Sequence, residues 1–203
     1  MKTWFTSDTH FGHENIIKYC NRPFFNVRDM DETIIRNWNS RVKEDDVVYH
    51  LGDFCFKNSK GGKPGEGLPI HSSHWRASLK GYIIHIRGNH DKNNSASTKL
   101  VKAYIEYGGK YISLSHRVEE ADLKCEMCFV GHVHEKWCFK RTPNGFVCNV
   151  GVDQWRFQPV SFEEILSKWI KIKKGIDKTV AEDLPVFYDA QGNIHYKKYE
   201  DVQ

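Results

Sequence analysis

The sequence predicts a layered α/β fold with a mixed sheet, on three observations. Short runs of apolar, β-branched and aromatic residues alternate with stretches whose apolar positions recur at helical spacing. Hairpin signals then gather in the C-terminal third. No repeat or linker-like stretch divides the chain, so residues 1–203 are expected to form one domain, with the motifs in about 1–160 and a C-terminal helix and hairpin tail over 161–203.

Residues 2–6, 47–51, 82–87, 111–114 and 126–130 read as buried strands. Between the first two, Met30, Ile34, Trp38 and Val42 recur every four residues and form one apolar helical stripe. Residues 57–69 are rich in Gly and Lys and read as an exposed loop that continues toward residue 74. That loop lacks the glycine spacing and the Lys-Ser/Thr pair of a phosphate-binding loop. Residues 137–142 and 146–150 flank Pro143-Asn144-Gly145, a hairpin signal. Ser161 followed by Glu164 forms a capping box, and Phe162, Ile165, Leu166, Trp169 and Ile172 give that helix a buried face. Lys171, Lys173 and Lys174 lie at its C-terminal end, where the helix dipole favours cations. The tail from residue 184 reads as a second hairpin turning at 189–193.

Composition narrows the classes. Hydrophobic residues at 39% and charged residues at 28% fit a soluble globular chain rather than a disordered one. A net charge of +4 accommodates phosphate-bearing ligands without the basic stripe of a dedicated nucleic-acid binder. No apolar run approaches the roughly 20 residues of a membrane helix, so no membrane association is expected. The N-terminus leaves no room for a secretory signal, which makes the cytoplasm the expected location and the six cysteines thiols.

The chemistry lies in eleven histidines and where they fall. Each of the five strands exits into a metal-ligand type of group: Asp8-Thr9-His10, Gly52-Asp53, Gly88-Asn89-His90-Asp91, His116, and Gly131-His132-Val133-His134. Ligands gather at the carboxyl ends of strands in open α/β sheets. In extended chain, residues i and i+2 face the same way, so Asp8 and His10 are expected to converge, as are His132 and His134. Glycine before Asp53, Asn89 and His132 permits tight turns. Three oxygen donors (Asp8, Asp53, Asn89) and four imidazoles (His10, His116, His132, His134) are too many for one ion and fit two divalent ions sharing a ligand.

This series resembles the calcineurin-like metallophosphoesterase superfamily, in its small bacterial and phage-type members. The resemblance implies a layered α-β-β-α sandwich with mixed sheets and a dinuclear metal site at the C-terminal ends of strands. It implies that Asp8, His10, Asp53 and His134 hold one ion, that Asp53, Asn89, His116 and His132 hold the other, and that Asp53 bridges. His90 is implied as the non-ligand histidine over the substrate phosphate, and Asp91 as the group that orients its ring. Arg87 and His13 are placed to touch substrate. The implied activity is hydrolysis of phosphomonoesters or phosphodiesters, small phosphoesters or nucleotides, by water activated between two divalent ions. Mixed N/O ligands suit Mn, Fe, Ni or Zn.

Two rivals stay open. Nucleases acting on DNA or RNA also occur among these enzymes, and the Lys-bearing 57–63 segment and final helix are compatible with nucleic acid. The other is a zinc-thiolate binding module built on Cys125, Cys128, Cys138 and Cys148. The wide spacing of its second pair argues against it.

Overall fold

The computed structural model describes residues 1–56, 70–91, 98–179 and 181–196, so the expected loop over 57–69 lies outside the described residues. Two mixed sheets face one another. The first has the order β3 (Tyr82–His85), β2 (Val47–His50), β1 (Thr3–Thr6), β9 (Val160–Ser161), with β1–β3 parallel and β9 antiparallel to β1. The second has the order β10 (Glu182–Asp183), β7 (Phe139–Arg141), β8 (Phe146–Asn149), β6 (Met127–Val130), β5 (Lys110–Ser115), β4 (Lys102–Tyr107). The tail forms a separate hairpin, β11 (Val186–Tyr188) with β12 (Ile194–Tyr196). An α/β architecture with mixed sheets is therefore both predicted and found.

Strand alternation assigns the faces. Phe5 points between the sheets, with Leu51 and Ile86, and meets Ile112, Leu114 and Phe129 from the other side. The Phe5 and Phe129 rings meet edge-on at 4.9 Å. Trp4, one residue earlier, points outward with Val48 into a second core formed with α1 (Glu14–Tyr19), α2 (Val27–Asn39) and α3 (Ser72–Ala77). The outer face of the second sheet, at Cys128, Val130 and Val147, is covered by Val118 of a 3₁₀ turn, Leu184 and the tail hairpin. Helix α4 (Phe162–Lys173) carries the expected capping box and sets Trp169 on Phe139 and Phe146.

Three expectations change. Met30, Ile34, Trp38 and Val42 are all buried, yet α2 stops at Asn39, and Val42 sits in the following turn with its N–H on the Trp38 carbonyl at 2.9 Å. The stripe reports burial, which outlasts the helix. The strand at 82–85 is not buried: it is the edge of its sheet, with Tyr82 69% exposed. Strand β4 was not anticipated because Lys102 and Glu106 break the apolar run on another edge strand.

Asp46 fastens the start of β1. Its carboxylate accepts from Lys2 N (2.6 Å), Trp4 Nε1 (2.9 Å) and Lys43 N (3.0 Å). Burial alone would raise its pKa, but these donated bonds pull it down to about 2. A lowered carboxyl pKa stabilises the fold above the unfolded value near 4, and that contribution is lost as pH falls through about 2. Asp46→Asn is expected to cost about 1–2 kcal/mol at pH 6 and progressively less toward pH 2. Melting both proteins across that range checks this; a gap that stays constant contradicts it.

Candidate metal centre

The exits of β1, β2, β3, β5 and β6 meet at one rim. Asp8 (φ 57°), His10 (φ 50°), Asp53 (φ 56°), His132 (φ 70°) and His134 (φ 44°) are all in the left-handed region. For side chains other than glycine this is strained, at about 1–3 kcal/mol per residue, and it persists only where surroundings enforce it. Bonds donated by backbone N–H groups do so here: Asp8 N to Gly52 O and His10 N to Asp53 O, each 3.0 Å, and His132 N to the Asp8 carboxylate Oδ2 at 2.9 Å. The expected convergence by strand alternation is thus replaced by left-handed turns. Asp8 and His10 do share a cluster, whereas His132 and His134 go to different ones. Of the three glycines, Gly52 (φ 100°) needs its conformational freedom. Gly88 is required by proximity instead, because a Cβ there would overlap the Asp53 carboxylate and backbone nitrogen.

Two groups capable of holding an ion result, Asp8/His10/His134 and Asp53/His116/His132. Asp53 lies between them, its Oδ2 3.6 Å from His10 Nε2 and 3.4 Å from His116 Nε2. Asn89 Oδ1 is 3.0 Å from His116 Nε2. The proton arrangement fits cations. His116 Nδ1 donates to Leu51 O (2.8 Å), so Nε2 turns toward Asn89 and Asp53, both oxygen acceptors. His134 Nδ1 faces Asp153 Oδ2 at 3.2 Å, and its Nε2 faces Asp8 Oδ1. Asp8 Oδ1 and His10 Nε2 are buried and have no hydrogen-bond partner among the described residues. Burial opposes protonation of both histidines, yet Asp53 and Asp8 raise His116 to about 9, and Asp153 and Asp8 raise His134 to about 11. In the same clusters burial pushes His10 well down and His132 down to about 4. Among the described residues no group of this kind contains a cysteine, and none of the six cysteines is in a disulfide.

His90 hangs over the site: its N–H donates to Asp53 Oδ1 (2.9 Å), its Nε2 is 4.0 Å from Asp53 Oδ2, and its side chain is 55% exposed. Asp91, expected at the His90 ring, directs its buried carboxylate to Asp53 N (2.8 Å), Phe54 N (3.1 Å) and Gly88 N (2.8 Å). His13 is buried with its Nδ1 3.4 Å from His10 Nδ1, on the wall of a cleft of about 410 Å³ that opens over both clusters. Arg87 is not among the residues lining that cleft, whereas Glu135 and Lys136 are.

Arg22 carries no signal in the sequence. Its guanidinium, with 0% side-chain exposure, grips Asp153 through Nε (2.8 Å) and Nη2 (2.9 Å) and donates to Asp8 O (2.7 Å) and Thr9 O (3.2 Å). Asp153 had one available signal, its place two residues after Asn149-Val150-Gly151.

Comparison with known proteins agrees with this geometry. A family model described as calcineurin-like phosphoesterase matches residues 1–197. An uncharacterized protein of Methanocaldococcus jannaschii is 38% identical over 171 residues, covering 81% of this chain and 89% of that protein. The Gene 66 protein of Mycobacterium phage L5 is 37% identical over 105 residues, covering 50% of this chain and 47% of its own length. Among solved structures, a protein of unknown function from Aquifex aeolicus aligns with a TM-score of 0.58 at 26% identity, covering 81% of this chain and 97% of that one. No helix among the described residues is long and apolar enough to cross a membrane. With a family model spanning nearly the whole chain and two Asp/His clusters at the strand exits, the chain belongs to the calcineurin-like phosphoesterase family.

Proposed function

We propose that this protein is a metal-dependent hydrolase of phosphoesters of small-molecule size, nucleotides among them. The observation that carries the reading is the position of Asp53, one buried carboxylate within reach of both clusters. In this reading Asp8, His10, Asp53 and His134 hold one divalent ion, and Asp53, Asn89, His116 and His132 hold the other. Such ions polarise phosphoryl oxygens and make water a nucleophile near neutral pH. The nitrogen and oxygen donors suit Mn, Fe, Ni or Zn. His10 and His134 are aimed by hydrogen bonds from their far nitrogens, toward His13 and Asp153. Asp91 acts on the Asp53 loop rather than on substrate, fixing three backbone N–H groups beneath the bridging carboxylate. His90 is exposed to the cleft and gives a proton to the leaving oxygen.

Replacing His90 by Ala is expected to lower turnover by roughly 10²–10⁴ while leaving metal content intact. Metal analysis beside steady-state kinetics checks this, and loss of metal in the variant would make His90 a ligand instead. The reading as a whole is tested by stripping the protein with chelator and reloading it with Mn, Fe, Ni or Zn. Each form is then assayed on p-nitrophenyl phosphate, its bis-ester, cyclic nucleotides and short DNA and RNA. Hydrolysis of the small esters is expected. Activity confined to DNA or RNA would select the nuclease alternative, and no activity with any metal would refute the hydrolase.

A further inference from the structure

The two walls of the cleft differ in chemistry. One is the segment after β6, where Glu135 and Lys136 present exposed charged side chains. The other is α1, held in place by buried Ile16 and ending in Tyr19. Tyr19 lines the cleft yet is 71% exposed, and its one aromatic neighbour among the described residues is His13, in a T-shaped arrangement at 6.3 Å. His13 in turn lies flat against Phe56 with ring centroids 4.6 Å apart. An exposed aromatic ring at the end of α1, lining the same cleft as residues of the two Asp/His clusters, offers a platform for a planar group. The volume of about 410 Å³ is at the small end of ligand pockets, which suits one such group rather than a polymer strand.

We infer that the cleft selects phosphoesters of nucleosides, with the base stacked on Tyr19 and the phosphate over the two Asp/His clusters. This rests on the hydrolytic reading for its phosphate position and adds a substrate class to it. A phosphate on the floor sends its esterified alcohol up between the walls. A sugar with no base passes Tyr19 without covering it, whereas a nucleoside can cover the ring, and base–aromatic stacking tolerates any base.

The test separates binding from turnover. Metal-loaded protein is titrated calorimetrically with two non-hydrolysable methylene phosphonates, the analogues of adenosine 5′-phosphate and of glycerol 3-phosphate. Both carry the phosphonate on a primary carbon, so the nucleoside is what distinguishes them. The adenosine analogue is expected to bind roughly tenfold tighter. Tyr19→Ala should bring the ratio of the two affinities to about one, and Tyr19→Trp should preserve it. Equal affinities in the unmodified protein, a ratio that survives Tyr19→Ala, or no binding of either analogue overturns the inference. Turnover of the parent esters is read separately: selective binding without hydrolysis supports the stacking platform and contradicts the hydrolase.

Discussion

Asp53→Asn is expected to remove both bound metals together and to reduce phosphoester turnover by about 10³ or more, the range lost when a major electrostatic element of an active site is removed. The amide has nearly the same shape, so packing is kept while the shared negative charge disappears. That charge is pinned in place. Burial pushes the Asp53 carboxyl pKa up, but the facing His116 and His10 imidazoles and His90 hold it well below the usual carboxylate range. His10 and His116 approach the same Oδ2 from opposite clusters, so one substitution reaches both. Metal content by mass spectrometry, with circular dichroism to verify folding, reads the outcome. Retention of two ions, or loss of only one, would show that Asp53 does not serve both.

Arg22→Met is expected to lower the melting temperature by about 10 °C and to weaken the Asp8/His10/His134 cluster selectively. Arg22 and Asp153 form an ion pair with 0% and 3% side-chain exposure. Removing the cation strands a buried carboxylate, at a cost of about 3–5 kcal/mol. For a chain of this size each kcal/mol shifts the midpoint by roughly 2–4 °C. The same guanidinium holds the carbonyls of Asp8 and Thr9, which anchor the left-handed turn at Asp8. A second substitution, Asp153→Leu, made with Arg22→Met, removes the stranded charge. It should restore part of the stability but not the metal, because His134 Nδ1 loses its acceptor. A melting shift below about 2 °C for Arg22→Met, or recovery of metal in the double variant, would contradict this account.

The strand exits were legible because apolar runs ending in Asp, Asn or His are local signals, and seven candidate ligands at five exits are too many for one ion. How those residues meet was legible through the family resemblance, which places His134 and His132 at different ions, but not through strand alternation, which does not contain the left-handed backbone both adopt. Arg22 and Asp153 lie 131 residues apart, and neither looks unusual until their side chains are found paired out of solvent. Asp91 stands next to His90 in sequence, yet its carboxylate reaches back to the Asp53 loop. Of the two edge strands, β3 was legible as a strand but not as an exposed one, because its apolar residues face solvent, and β4 is hidden by interspersed charge.

In the proposed function two ions share this site and hydrolysis depends on both. Metal-free protein is titrated with a single divalent metal while hydrolysis of p-nitrophenyl phosphate and its bis-ester is followed. Activity is expected to rise with added metal and to level off at two equivalents per chain. A plateau at one equivalent, or hydrolysis that persists without metal, would contradict it.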